Sequence, residues 1–422
     1  MTIAVPPNSS PVWVAIGTAF SGVATYLLLV VTARAVGPAI YGEFSFFWAV
    51  LIIVSLGLFL PIEQAVARRV AQTASPGMAG APFLRQGVRV ASVVGVVVTV
   101  LLSIYWSTQR GSSPTELLLL VALVIGVVGF VMQFPARGAL AATTSFRDYG
   151  SVVSVDAGVR AVIALALWFS GARSAAPFAF AVGFSALTGG SVALLLARRR
   201  LPASAPGQPP AAPVVGLGRE SGRLISAAVC MQVLLNSGVL IAVSASSTSD
   251  SVFAGHLLAV LTIARLPVFL FQSVQASYLS KIAFRSHEGD VAGLRRMLLR
   301  LVAAVAAVAG VTLAGAVLAG PQAIRLIFGP SYEIGRGAAT LVAVGVSVYL
   351  AAAVANDVAV AIGAHAHVRA AWVAGVLAAA VVVVSVDDLV LRSTLPLVVG
   401  AAVAGSVLAS PVLRSVRWKV EL

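Results

Sequence analysis

A few polar side chains, set far into long apolar runs, are the residues with the means to do chemistry. Asp156 and Arg160 stand four residues apart in "SVDAGVRAVIALAL", the spacing at which a helix sets two side chains next to each other. Such a pair reads in two ways. It is a self-neutralised couple, or it is an arginine that Asp156 holds until an anion such as a phosphate arrives. Arg265 in "LTIARLPVFL" is the second cation of this kind, with Pro267 two residues on. Proline frees a backbone carbonyl and bends the helix, which is tolerated where a helix lines a cavity. Arg265 therefore reads as a bridge between helices or as a second anion contact. Asn236 and Asp357 could coordinate a cation or hydrogen-bond a polar ligand, although Asp357, about a turn from water, also reads as plain solvated polarity. Arg34 and Glu43 flank a Gly37-Pro38 turn. They are candidates for a gating salt bridge, or else ordinary polarity at an interface.

Other chemistries find no residues. "HAH" at 365–367 has no carboxylate or cysteine beside it, so no metal site is expected. No nucleotide-binding P-loop and no glycine-rich dinucleotide fingerprint appears, so ATP is not the direct energy source and no cofactor is expected. The single cysteine, Cys230, excludes an intrachain disulfide. Asp387 and Asp388 fall at a turn and read as solvated.

The elements that must position these residues are membrane helices. Of the 422 residues, 59% are hydrophobic and 10% charged, and the mean hydropathy is +1.01, whereas soluble domains carry about 25% charged residues. About twenty apolar residues cross the hydrocarbon as a helix. On that basis the chain predicts twelve spans, near 11–33, 41–62, 87–106, 114–135, 150–170, 176–197, 222–244, 251–273, 299–320, 338–361, 367–386 and 393–413. Many are valine-rich, yet an open strand in lipid would leave its backbone groups unsatisfied, so they become helices. Residues 1–10 lack Lys and Arg, and the run from Val12 to Ala33 exceeds a signal-peptide core, so the first span is expected to be retained.

The net charge of +14 is dispersed in short clusters between apolar runs, which argues against a nucleic-acid surface. With the N-terminus cytoplasmic, twenty Lys and Arg fall in or beside the inner segments and six in the outer connections. That bias predicts a cell-membrane protein with both termini cytoplasmic. The stretch "RRRLPASAPGQPPAAPVVGLGRE" holds five prolines and reads as a cytoplasmic linker, 198–221. It divides the chain into an N-lobe, 1–197, and a C-lobe, 222–422, each of six spans. Because six is even, any repeat between them is parallel, about an axis along the membrane normal. At a common offset of 212 residues Tyr41 falls on Phe253 and Arg69 on Lys281, and an amphipathic inner segment follows each, "EQAVARRVAQ" and "QASYLSKIAF". In the turn at 34–40, Gly37-Pro38 ends the first helix and Tyr41 opens the second at the membrane interface.

"ARAVGPAIYGEFSFF" followed by "EQAVARRVA" resembles the start of polysaccharide-transporter (Wzx-like) flippases of the multidrug/oligosaccharidyl-lipid/polysaccharide (MOP) exporter superfamily. "LTIARLPVFLFQSVQASYLSKIA", "EGDVAGLRRMLLRL" and "AIRLIFGPSYEIGRGAATLVAV" resemble its eighth helix, its amphipathic inner connection and the start of its tenth helix. The resemblance spans Pro11 to Asp387. It implies an all-α integral membrane fold of about twelve helices, in two six-helix lobes around a V-shaped central cavity. The implied cargo is a polyprenyl-(di)phosphate-linked oligosaccharide or polysaccharide precursor, flipped from inner to outer leaflet by alternating access. The implied partners are that lipid-linked glycan, membrane lipids, a coupling cation (H+ or Na+) and glycan-synthesis enzymes, with no nucleic acid. Lipid II flippases of the superfamily usually carry arginines at positions matching Gly22 and Leu28; both are uncharged here, which counts against lipid II. On this reading Arg160, Arg265, Asp156 and Asn236 contact cargo, and Arg34, Glu43 and Asp357 gate or couple to an ion. The protein is then no enzyme. The rivals are a drug or metabolite antiporter of the same superfamily, a membrane glycosyltransferase or polymerase, which would need acidic residues on larger outer loops, and a transporter-like scaffold.

Overall fold

A computed structural model describes residues 10–72, 81–110, 113–201, 214–244, 248–268 and 290–417, together with Tyr278, Ile282 and Glu288. All regular structure among them is helical. We number the helices α1 (Val12–Ile52), α2 (Leu60–Gln72), α3 (Ala81–Tyr105), α4 (Pro114–Ala142), α5 (Phe146–Phe169), α6 (Ala175–Arg200), α7 (Val214–Ser244), α8 (Thr248–Ala264), α9 (Val291–Phe328), α10 (Arg336–Ala361), α11 (His365–Ser385) and α12 (Leu389–Arg417). Among the described residues eleven helices are long and apolar enough to cross a membrane, the first of them running from Val12 to Ala71. That long element contains the first two expected spans.

The turn expected at 34–40 shrinks to one residue. Gly37 alone leaves the helix, at φ 77° and ψ 171°, a conformation that costs glycine nothing and strains other residues. Pro38 then starts the second span, where its missing N–H is no loss. Tyr41 is therefore a full turn inside, and it is completely buried rather than at an interface. Its ring stacks on Phe44 at 5.9 Å and meets Tyr332 edge-on at 5.9 Å.

Between α1 and α2 the chain is π-helical over Ile53–Phe59. Pro61 has no N–H to give the Gly57 carbonyl, and the Leu60 amide bonds Ser55, five residues back. The wider turn absorbs the proline without breaking the span.

Several expected inner connections are helical. α2 runs on to Gln72 and α4 passes through Pro135 to Ala142, so most of the segment expected at 136–149 belongs to α4 and α5. α9 extends the expected 299–320 at both ends, capped by the Asp290 carboxylate on the Gly293 amide at 2.8 Å and stopped by Gly329 at φ 116°. The expected linker begins inside α6 and ends inside α7; its middle, 202–213, lies outside the described residues, as does most of 275–284.

By contacts the chain forms two compact units. Unit 1 is Met1–Val36 with Phe47–Val229, and unit 2 is Gly37–Phe46 with Cys230–Leu422. Small residues set the packing in each, because lipid supplies no hydrophobic drive and helices must associate through close contact. In unit 1 a Cβ on Gly183 of α6 would stand 2.6 Å from the Ala122 carbonyl of α4, and one on Gly190 would stand 2.5 Å from that of Gly129. In unit 2, Gly375 of α11 and Gly400 of α12 face each other's carbonyls in the same way. There too, Gly42 lies against the Ser251 backbone and Gly255 against the Pro38 carbonyl, closer than any side chain allows.

Candidate functional site

Each unit buries its own polar centre. In unit 1, α5 carries Asp156 and Arg160 one turn apart, joined by a salt bridge of 2.5 Å between Arg160 Nη2 and Asp156 Oδ2. Both side chains are 13% exposed. The other carboxylate oxygen, Oδ1, is buried with no hydrogen-bond partner among the described residues. Gln133 of α4 comes to the same place, because Gly189 of α6 leaves room. A Cβ on Gly189 would lie 2.8 Å from Asp156 Cβ and 2.9 Å from Gln133 Nε2. Gln133 is 2% exposed, and its Nε2 likewise lacks a partner. An unused acceptor and an unused donor thus meet beside a guanidinium, an arrangement with capacity for a polar ligand.

About one turn along α4 and two along α5 lies a second group that the sequence reading missed. Tyr149 donates to Glu63 Oε1 at 2.8 Å, and Arg137 Nη2 donates to the Tyr149 oxygen at 2.6 Å. Arg137 Nε faces Glu63 Oε2 at 3.3 Å, and the guanidinium lies 5.1 Å over the Phe134 ring and 4.9 Å over that of Tyr149. Gln133 joins the two groups, lying beside Asp156 and one turn from Arg137 on α4. Glu63, Arg137, Asp156 and Arg160 therefore form a strip of alternating charge along α2, α4 and α5. The signal was available. Gln133 and Arg137 are four apart, as are Asp156 and Arg160, and carrying α4 past Pro135 aligns them.

In unit 2, Arg265 follows the end of α8 and is 8% exposed. Its Nη2 donates to the Leu235 carbonyl at 2.5 Å and to Asn236 Oδ1 at 3.1 Å, both on α7. Asn236 in turn donates to the Gln232 carbonyl at 2.8 Å. The structure thus brings Arg265 and Asn236 together, with Arg265 cross-linking α7 and α8. Asp357 of α10 sits in another node, where it accepts from the Tyr278 hydroxyl at 2.6 Å. Its neighbour Asn356 accepts from Trp372 Nε1 of α11 at 3.0 Å. Burial, with the Asp357 carboxylate beside it, pushes the Tyr278 phenol up from its ordinary value, so it remains a donor. Arg34 is exposed at the end of the first span, and Glu43 is half-buried in the second.

With the helices and their polar centres defined, the chain can be set beside known proteins. Over 94% of its length, and 94% of the other chain, it superposes on a multidrug resistance MATE family transporter of the MOP superfamily in an inward-facing conformation, with a TM-score of 0.70 and 14% identity. The outward-facing conformation of such a transporter gives 0.66 and 15%, covering 96% of this chain and 94% of that one. The fold is that of the MOP-superfamily transporters. A further MOP transporter, from Pyrococcus furiosus Vc1, gives a TM-score of 0.68 at 16% identity, covering 98% and 99% of the two chains. It is described as having a binding pocket of reverse polarity that suggests a different function. In sequence, the chain is 26% identical over 393 residues to the uncharacterized protein Rv1510 of Mycobacterium tuberculosis, covering 92% of this chain and 87% of that protein. It is 24% identical over 395 residues to the uncharacterized protein Mb3654 of Mycobacterium bovis, covering 92% and 88%. The sequence matches no protein-family profile.

Proposed function

We propose that the protein is a flippase that moves a polyprenyl-(di)phosphate-linked oligosaccharide or polysaccharide precursor across the cell membrane, toward the outer leaflet, by alternating access. The observation that carries this reading is the composition of the unit 1 centre. A mid-span arginine is held by one carboxylate oxygen, and a buried amide donor and a buried acceptor stand open next to it. An arginine near the bilayer centre costs roughly 3 kcal/mol on insertion scales. A phosphate offers it two oxygens in the plane of its fork, and Gln133 supplies a further donor. Arg265 is the second proposed cation, released from Asn236 when cargo arrives. Asn236 and Asp357 would then meet sugar hydroxyls or a coupling H+ or Na+, and Arg34 and Glu43 would gate. The prenyl tail stays in lipid.

A second reading is an ion-coupled drug or metabolite antiporter. Two of the transporters of like fold are multidrug resistance MATE family transporters, and Asp156 Oδ1 is a buried acceptor without a partner among the described residues, as a cation would require. Proteoliposomes separate the two. A flippase delivers a fluorescent polyprenyl-diphosphate sugar to the outer leaflet and ignores lipophilic cations. Cation export without glycan movement would establish the antiporter and end the first reading.

A further inference from the structure

Among the described membrane spans, α3 in unit 1 and α9 in unit 2 are the least buried. Each repeats one surface. In α3, Arg85 and Arg89 are exposed, and the same helix face continues into exposed Val93, Val96, Val100 and Ile104. In α9, Arg296 and Arg300 are exposed, and their face continues through Ala304 and Ala307 to Val311 and Leu318. The opposite faces are packed. Phe83, Leu84 and Gly87 of α3 are buried, while in α9 Leu294 is buried and Met297, Leu298 and Leu301 close on Tyr278, Ile282 and Val358.

The two surfaces correspond position by position, 85 with 296, 89 with 300 and the apolar 100 with 311, at one constant separation. Two cations four residues apart on a helix repel each other. None of the four forms a salt bridge with a described carboxylate, and among the described residues Arg296 donates to the Ala292 carbonyl of its own helix, at 3.4 Å. A like-charged pair kept twice, with no counter-ion among the described residues, fits an anion supplied from outside the chain.

The geometry says which anion. Helix side chains lean toward the N-terminus, so the guanidinium groups project away from the apolar stripe, to the level where a bilayer places its phosphates. Arginine forks grip phosphate oxygens in pairs. The stripe beyond them is sized for acyl chains rather than for a soluble ligand. A zwitterionic headgroup brings its own ammonium and leaves the repulsion in place, whereas an anionic one removes it.

We infer that each unit seats an anionic phospholipid, its headgroup between Arg85 and Arg89 in unit 1 and between Arg296 and Arg300 in unit 2, with the acyl chains along the apolar stripe of the same helix. The two sites anchor α3 and α9 at the leaflet on the arginine-rich side, independently of what the protein transports.

The test is native mass spectrometry of the purified protein titrated with phosphatidylglycerol or phosphatidylcholine. Wild type should retain phosphatidylglycerol at one tight position per unit and phosphatidylcholine at neither. Arg85→Gln with Arg89→Gln should remove one tight position, Arg296→Gln with Arg300→Gln the other. Each loss should be about 25-fold in affinity, from roughly fivefold per arginine at a headgroup surface. Arg198→Gln with Arg199→Gln removes the same charge from the exposed end of α6 and should leave both positions filled. Equal retention of the two lipids, unchanged binding in the α3 and α9 variants, or an equal loss in the α6 control would each overturn the inference. Should a double variant not fold, wild type answers alone. Its phosphatidylglycerol retention must fall as salt rises, and salt-independent retention would refute the sites.

Discussion

Replacing Tyr149 by phenylalanine deletes a single oxygen from the buried strip of unit 1 and leaves the ring. That oxygen receives the Arg137 Nη2 donor at 2.6 Å and gives its proton to Glu63 Oε1 at 2.8 Å. Hydrogen bonds to charged groups contribute about 1.5–3 kcal/mol each, so the gross loss is roughly 3–6 kcal/mol. Part returns, because Arg137 Nε and Glu63 Oε2 are already 3.3 Å apart and can close on each other. A net cost of about 2 kcal/mol follows, above the ~0.6 kcal/mol average for neutral side-chain bonds between membrane helices. Glu63→Gln retains the shape and leaves Arg137 buried without a counter-charge, which should cost more, about 3–5 kcal/mol. Glu63→Gln combined with Arg137→Met removes both charges and should return most of that. The assay is reversible unfolding in mixed micelles titrated with dodecyl sulfate. Were Tyr149→Phe to cost less than ~0.5 kcal/mol, or Glu63→Gln no more than Tyr149→Phe, the strip would not be the coupled network its distances describe.

Two further outcomes follow from the packing and from unit 2. Gly255→Ala forces a methyl into the Pro38 carbonyl and should destabilise by about 1–3 kcal/mol. Gly22→Ala, which meets nothing within 4 Å, should be neutral or stabilise by up to ~1 kcal/mol; thermal unfolding of the two variants side by side checks the contrast. Arg265→Lys retains the charge but cannot bond Leu235 and Asn236 with one planar group, and Arg265→Gln loses both properties. Flipping should fall from wild type to Lys to Gln at equal expression, and wild-type transport by the Gln variant would assign Arg265 to helix bridging alone.

Much of this was legible in the sequence, and what was not has physical causes. Hydropathy located the spans because lipid tolerates only helices, whatever the valine content. The Asp156–Arg160 pair was readable because its spacing is intrinsic to one helix, and Gly37-Pro38 because two residues suffice to break one. Tyr41 was misread, since an amphipathic ring after a turn suits an interface equally well; its burial depends on Phe328 and Tyr332, nearly three hundred residues away. Arg137 was counted only as a topological charge, and Glu63 and Tyr149 were not singled out, because the expected spans ended at 62 and 135, beside Pro61 and Pro135. A π-turn carries the chain past the first, and α4 simply continues through the second. Gln133 was invisible because its meaning comes from Gly189 on another helix.

The central claim is that Arg160 meets the phosphate of the cargo and that Asp156 only holds it. Asp156→Asn with Arg160→Gln removes both charges together and so avoids stranding either. The decisive measurement is the rate at which a polyprenyl-diphosphate-linked sugar reaches the outer leaflet of proteoliposomes containing this double variant, at matched insertion and thermal stability. The account predicts a variant that folds like wild type and does not flip the glycan, while Asp156→Asn alone still does. Wild-type flipping by the double variant would contradict it, leaving the pair as a neutralised couple and the cargo site elsewhere.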